Sequence, residues 1–262
     1  MAENEVKQRK IVKWLWIIVA APFAAVLFML LLTAAGAFGR LPSFEELENP
    51  KSNIATEIYS EDGKMIGSFF VENRSYVTYD ELSPALVAAL VATEDQRFYS
   101  HSGIDFISLA RVGIKTLAMG NRSQGGGSTI TQQLAKNLFP RDTTVYRSSV
   151  VRKGKLVISK FKEWITAVKL EYNYTKEEII AMYLNIVGYG SNAFGIKSAA
   201  QTFFDKQPSE LSIPEAALLV GVVNAPTRYS PVLNPERSLA RRNTVIAVSY
   251  THLRAHETRE DL

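Results

Sequence analysis

Residues 14–39 form an uncharged run of 26 residues, the feature that most restricts what this chain can fold into. At about 1.5 Å per residue, a helix of that length exceeds the roughly 30 Å hydrocarbon core of a bilayer. The run reads as a transmembrane helix. A cleaved signal peptide is the rival, because Ala35-Gly36-Ala37 suits a small-residue cleavage site, but a signal core is only about 7–15 residues long. Lys7, Arg9, Lys10 and Lys13 precede the run, and Arg40 is the only basic residue close behind it. The positive-inside rule therefore places residues 1–13 in the cytoplasm and everything beyond the anchor outside.

The remaining length suffices for one domain of about 200 residues. With 47% hydrophobic and 21% charged residues, wholesale disorder is excluded. The chain has no cysteine, which excludes a disulfide framework, thiolate metal sites and a cysteine nucleophile. Of three histidines, His252 and His256 lie near the C-terminus, so a multi-histidine metal site is not expected. Residues 40–52 contain Pro42, Pro50 and three glutamates and read as a linker. Apolar and polar residues then alternate around Asp62-Gly63 within 53–77, which predicts a short hairpin. From Ser83 onward the pattern is helical. Ser83-Pro84 is an N-cap followed by proline at the first helical position. Thr129 with Gln132, Thr175 with Glu178 and Ser212 with Glu215 match capping boxes. The expected domain, 53–247, is mainly α with one small β-hairpin near its start. Residues 248–262 do not continue the amphipathic pattern and resemble translated sequencing adaptor. The expectation is a truncated gene fragment with a doubtful tail, after which a further domain could follow.

Residues 105–119 hold apolar side chains around most of a helix, with Arg111 and Lys115 four residues apart on one face. Such a helix is either buried in the core or lies in the outer leaflet with its basic pair among the headgroups.

Two carboxylates stand out. Glu94 continues the stripe of Val87, Leu90 and Val91 near a helix C-terminus. Burial and the negative end of the macrodipole both disfavour a charged group there, which suits a general base. The plainer reading is a salt bridge to Arg97. Glu163 lies on a helix whose main core stripe is expected at Phe161, Trp164, Ile165 and Val168, with Leu156, Ala167 and Leu170 on a second apolar side. Beside Lys160 it could orient cations or phosphates, or simply be a surface glutamate paired with a lysine. Between them, Gly125-Gly-Gly-Ser-Thr-Ile-Thr-Gln-Gln133 leads a glycine-rich loop into a capped helix. That is either an anion site or a flexible loop with a good cap; it lacks the Gly-Lys-Ser/Thr ending of a nucleotide P-loop. Arg141, Arg147, Arg152, Lys153, Lys155, Lys160 and Lys162 concentrate most of the net +4 charge. They form a solvated basic face or a diphosphate-binding wall.

Together these segments resemble glycosyltransferase family 51, the peptidoglycan glycosyltransferases of class A penicillin-binding proteins and their monofunctional relatives. Ala92-Thr-Glu-Asp95, Arg97-Phe98, His101, Gly103 and Asp105 are similar to the first family motif. Gly126-Gly-Ser-Thr-Ile-Thr-Gln-Gln133 with Leu134, Lys136 and Asn137 is similar to the second. Lys160-Phe-Lys-Glu163, Leu170-Glu171, Lys176 and Tyr183-Leu-Asn185 resemble the third and fourth. Gly195-Ile196, Glu215-Ala216, Asn224-Ala225-Pro226, Tyr229-Ser-Pro231 and Arg241-Arg242 resemble the closing region. Ser159 stands where the family often has arginine, so Arg152 or Lys162 is expected to supply that charge. Gly125 lengthens the glycine run by one.

The resemblance implies a lysozyme-like, two-lobed domain that polymerises lipid II into β-1,4 glycan strands. Glu94 would be the general base, and Glu163 would help place the diphosphate or its divalent cation, Mg²⁺ or Mn²⁺, loosely held. Arg97, His101, Ser128, Thr129, Gln132, Gln133, Lys136, Arg141, Arg152, Lys160 and Asn185 would bind substrate. The expected location is the bacterial cytoplasmic membrane. The expected partners are the lipid-linked glycan strand, the membrane and other cell-wall synthesis proteins, with no nucleic acid. Two other readings are a lysozyme-like hydrolase and an inactive membrane-anchored scaffold. A hydrolase needs no diphosphate wall, and the presence of both glutamates argues against the scaffold.

Overall fold

A computed structural model describes residues 2–43, 46–47, 56–59, 65–69, 76–119, 127–140 and 148–260. The expected hairpin turn at Asp62-Gly63, Gly125 and Gly126 of the glycine run, and Arg141 and Arg147 of the basic segment lie outside the described residues. The chain divides into two compact units.

One unit comprises residues 1–43 and 141–166. Its first element is α1 (Ala2–Ala34). Trp14, Trp16, Phe23, Leu27 and Leu31 are all exposed along it, and it is long and apolar enough to cross a membrane. The helix ends at Ala34, before the uncharged run does. The Ala37 N–H donates to the Leu32 carbonyl (3.1 Å) and the Gly36 N–H to the Thr33 carbonyl (3.1 Å). This pair of bonds is a Schellman cap, and it needs the left-handed φ of +81° that Gly36 adopts without a Cβ penalty. The same unit holds the start of α5 (Ser149–Asn173).

The other unit comprises residues 44–140 and 167–262. It opens with the expected hairpin, β1 (Thr56–Tyr59) antiparallel to β2 (Met65–Phe69), with Thr56 opposite Phe69 and a bulge at Ile58/Tyr59. Four helices follow that build the core: α2 (Pro84–Glu94), α4 (Ile130–Leu138), α6 (Lys176–Ile186) and α8 (Ile213–Val223). Leu86, Leu90, Ile130, Leu134, Ile179, Tyr183, Leu219 and Val220 interlock in one buried cluster. Between them run α3 (Phe106–Met119) and α7 (Ile196–Phe204); α9 (Pro235–Glu260) closes the unit over α2 and α8. The backbone of α9 thus continues through most of the tail.

A second ribbon, β3 (Gly188–Gly190) with β4 (Ala193–Phe194), was not foreseen. Ser191 and Asn192 form its two-residue turn with φ of +50° and +60°. Both signs match a type I′ turn, whose twist suits a hairpin. Asn185 sits just before it and spends its side chain on Val77. Oδ1 accepts the Val77 N–H (3.0 Å) and Nδ2 donates to the Val77 carbonyl (2.8 Å), pinning the chain that leaves the first hairpin.

The caps are largely those expected. Ser83 Oγ accepts the Leu86 N–H, and Thr175 and Glu178 cap each other's backbone N–H groups. Thr129 is an exception. Its Oγ1 accepts the Gln132 N–H (3.1 Å), but Gln132 does not reach back, because its Nε2 donates to the Gly103 carbonyl instead (3.1 Å).

Glu215 accepts from Lys206 Nζ (2.8 Å), the Ser212 hydroxyl (2.7 Å) and the Ser212 N–H (2.9 Å). The lysine above all, then the serine, holds its carboxyl at about 2 instead of the ordinary 4.5. A carboxyl depressed in the folded chain contributes stability that is complete above 4.5 and disappears as pH falls toward 2. Acid titration followed by circular dichroism should show native protein losing stability through that window. Glu215→Gln should flatten the loss, and an unchanged acid profile would remove Glu215 from the account.

Candidate active site

Glu94 ends α2. Asp95, with φ −157° and ψ 74°, breaks the helix and sends the two neighbouring carboxylates in different directions. The Glu94 side chain is 9% exposed. Its Oε2 accepts from Gln133 Nε2 (3.0 Å), and Gln133 Oε1 accepts from the Tyr183 hydroxyl (2.9 Å). Burial first, then the nearby Glu94 and Tyr189, pushes the Tyr183 hydroxyl well above its ordinary range, so it stays a protonated donor. On the other side, Arg241 Nη2 of α9 stands 3.8 Å from Glu94 Oε1. Three helices distant in sequence therefore converge on one carboxylate. The alternative pairing of Glu94 with Arg97 is not formed. Arg97 Nε binds Asp105 Oδ2 at 3.1 Å.

Asp105 organises its own corner. Burial alone would raise its carboxyl, but bonds from the Ser108 side chain and N–H, Arg97 and the Ile107 N–H outweigh that and hold it low. It thereby caps the start of α3.

His101, Thr129 and Gln132 are buried supports. His101 Nε2 lies 3.0 Å from Asp95 Oδ2, and the same oxygen accepts the Ile130 N–H at the start of α4 (3.0 Å). Thr129 Oγ1 donates to the Gly103 carbonyl (2.7 Å), alongside Gln132. Gly103 has φ +88°, and a Cβ there would stand 2.9 Å from the Ala167 carbonyl, so only glycine fits. Lys176 closes the same corner. Its Nζ donates to the His101 carbonyl (2.7 Å), pairs with Glu171 (2.7 Å) and lies 4.3 Å over the Phe98 ring. These contacts brace the segment that follows α2 against the start of α4, next to the helices that carry Glu94 and Gln133. In this structure the side chains of His101, Thr129, Gln132 and Asn185 all hydrogen-bond to other parts of the protein. Ser128 is half-buried beside them, and Lys136 is exposed on the last turn of α4.

In the first unit, Arg152 is exposed on α5, and Lys160 Nζ lies 3.2 Å from Glu163 Oε2. The expected stripe of α5 needs correction. Val168 is 45% exposed, whereas Glu163 is 6% exposed and Thr166, Ala167 and Leu170 are buried. Glu163 therefore lies on the buried side of its helix. Burial follows neither side as a whole: Phe161 of the expected main stripe is buried with Ala167 and Leu170, while Leu156 of the second side is exposed. Among the described residues, no three acidic or histidine side chains are grouped to hold a metal ion.

On α3 the described apolar side chains divide: Leu109 and Val112 are half-buried and face Gly127, and the others point outward. Phe106 (69%), Ile107 (59%) and Ile114 (67%) are exposed, and Ser108 is turned inward. Arg111 donates to Ser108 Oγ (2.9 Å). The Lys115 side chain lies outside the described residues.

Sequence reasoning assigned no role to Arg241. Arg241-Arg242 belonged to the closing region, but nothing in spacing ties a residue of α9 to one of α2.

Comparison with known proteins agrees with the motif reading. A family model described as Transglycosylase matches residues 62–249. Penicillin-binding protein 1A of Aquifex aeolicus (strain VF5) is 40% identical over 230 residues, 87% of this chain and 29% of that protein. Penicillin-binding protein 1A of Escherichia coli (strain K12) is 36% identical over 208 residues, 79% of this chain and 23% of that protein. A 2.6 Å crystal structure of penicillin-binding protein 1A from Haemophilus influenzae aligns at 22% identity and a TM-score of 0.38, covering 76% of this chain and 18% of that one. The chain thus spans less than a third of the curated relatives it matches. It belongs to the transglycosylase family, homologous to the glycosyltransferase domains of penicillin-binding proteins 1A.

Proposed function

We propose that this chain is a membrane-anchored peptidoglycan glycosyltransferase that polymerises lipid II with inversion and release of undecaprenyl diphosphate. The observation that carries the reading is the Glu94 carboxylate. It is nearly buried, one oxygen is held by Gln133, and it stands on the elements that match the family's first two motifs. A carboxylate so held suits a general base. It takes the proton from the 4-hydroxyl of the acceptor N-acetylglucosamine as that oxygen attacks C1 of the donor N-acetylmuramic acid. The diphosphate departs from the opposite face, giving a β-1,4 bond.

Arg152 and Lys160 supply positive charge for the leaving diphosphate. Glu163, a single carboxylate, is too little for an all-protein metal cage. It fits a Mg²⁺ or Mn²⁺ ion that arrives on the diphosphate, since such ions take one or two carboxylates and complete their shell with phosphate and water. That cation would supply charge neutralisation at the leaving group. The α1 helix serves as the anchor with residues 1–13 cytoplasmic, and residues 53–247 form the external catalytic domain. The exposed Phe106, Ile107 and Ile114 of α3 rest in the outer leaflet, where the lipid tail of the substrate is anchored. Other cell-wall synthesis proteins are its partners.

The test is polymerisation of purified lipid II by the full chain in detergent micelles, with and without Mg²⁺. Lengthening glycan strands are expected, formed faster with the cation. A folded protein that makes none overturns the reading. Shortening of preformed strands without consumption of lipid II would point to the hydrolase instead.

A further inference from the structure

This inference rests on the reading of Glu94 as the base. We propose that Arg241 is a positioning residue for Glu94, fixing the orientation of the oxygen that meets the acceptor hydroxyl. The two carboxylate oxygens are treated differently. Oε2 accepts a hydrogen bond from Gln133, which is itself tied to Tyr183. Oε1 faces Arg241 Nη2 at 3.8 Å. That distance is an ion pair, but it is well beyond the roughly 2.7–2.9 Å of a charge-assisted hydrogen bond. The guanidinium therefore attracts Oε1 without occupying its lone pairs. A tighter pair would tie up the base, and none at all would leave a nearly buried carboxylate without a counter-charge.

The arginine is itself held in place. Its guanidinium lies 5.7 Å from the Tyr229 ring, within cation–π range. Its stem passes Gly221 of α8 so closely that a Cβ there would stand 3.0 Å from Arg241 Cγ. Its Nε is buried with no hydrogen-bond partner. An arginine stationed there at the expense of one unmade hydrogen bond is placed for its charge and for its Nη2. The groups facing Glu94 are thus Gln133 from α4, Tyr183 from α6 behind it and Arg241 from α9, with Tyr229 against the arginine.

The experiment is steady-state lipid II polymerisation by the full chain carrying Arg241→Ala or Arg241→Lys, with Glu94→Gln as the control. A misplaced base costs on the order of 10²-fold in kcat, so Arg241→Ala should lose about that much with KM changed by less than about threefold. Arg241→Lys should recover to within about tenfold of native, and millimolar methylguanidinium should restore Arg241→Ala by about tenfold but leave Glu94→Gln inactive. A packing role would not respond to added guanidinium. Native kcat in Arg241→Ala overturns the inference. So does a folded Arg241→Lys no better than Arg241→Ala, or a loss confined to KM that methylguanidinium leaves unchanged. Those results leave the proposed function standing if native protein polymerises and Glu94→Gln does not. A native protein that makes no glycan overturns both.

Discussion

Glutamine at position 94 is expected to lower lipid II polymerisation about 10³-fold while leaving the unfolding temperature of the chain where it was. The substitution preserves shape and one carbonyl oxygen, so Gln133 Nε2 keeps an acceptor and the Tyr183–Gln133 link survives. What disappears is a group that can take a proton. General-base catalysis is worth about 10²–10⁴-fold, and the middle of that range is the expected loss. The loss should fall on kcat, because removing an interaction made only in the transition state lowers kcat and kcat/KM equally. Glu94→Asp is the informative companion. It keeps a carboxylate but draws it back by one methylene, away from both Gln133 and Arg241, and should retain more activity than the glutamine variant. Continuous polymerisation assays on the two proteins decide the point. A Glu94→Gln protein that polymerises at the native rate would remove Glu94 from the chemistry and favour the scaffold reading.

The residues that proved legible in the sequence are those whose signals are local. Ser83, Thr175 and Ser212 are caps because each needs only residues within one turn. The long apolar helix and the first hairpin are read from composition and alternation over a few residues. Where the outcome depends on partners far along the chain, local reasoning loses its grip. Gln132 has the spacing of a capping box, yet the Gly103 carbonyl competes for its side chain and wins. Glu163 sits on a helix with two apolar sides, and packing buries Phe161 from one and Ala167 and Leu170 from the other. The β3–β4 turn uses Ser191-Asn192, without the glycine that usually betrays a type I′ hairpin. The first helix stops at Ala34, although the uncharged run continues, because hydropathy does not see the Gly36 cap.

The candidate site divides the same way. Glu94 is conspicuous as a carboxylate on an apolar stripe. Its partners are not, since Gln133 and Arg241 lie on helices that no periodicity connects to α2. Resemblance to a family identifies motif residues but not which of them touch substrate. His101, Thr129, Gln132 and Asn185 are motif residues whose side chains are turned into the protein. The bonds of His101, Thr129 and Gln132 brace the region around Gly103 and the start of α4, and those of Asn185 hold Val77.

Asp95 is where that support is concentrated, and Asp95→Ala is expected to destabilise the chain by about 2–6 kcal/mol, since it leaves two buried groups unpaired. One carboxylate serves two elements. It accepts from His101 Nε2 and from the Ile130 N–H, the first orphan donor of α4. The other ring nitrogen of His101, Nδ1, is buried without a partner, so the Asp95 bond is what holds the imidazole. Alanine would leave a buried ring and a buried helix-end N–H both unpaired, each costing about 1–3 kcal/mol. For a domain of this size such a loss lowers the unfolding temperature by roughly 10 °C or more. Asp95→Asn keeps one acceptor for the Ile130 N–H and should lose less than half as much. Because α4 carries Gln133, the alanine variant should also lose polymerase activity below its own unfolding temperature. Thermal unfolding in detergent measures the first effect, and a double-mutant cycle with His101→Ala measures its origin. If the two side chains act as one unit, the double variant will be little less stable than Asp95→Ala alone. Additive losses would mean that Asp95 acts on α4 and His101 independently. An Asp95→Ala protein within about 0.5 kcal/mol of native, the range of ordinary surface changes, would show that α4 does not depend on this carboxylate.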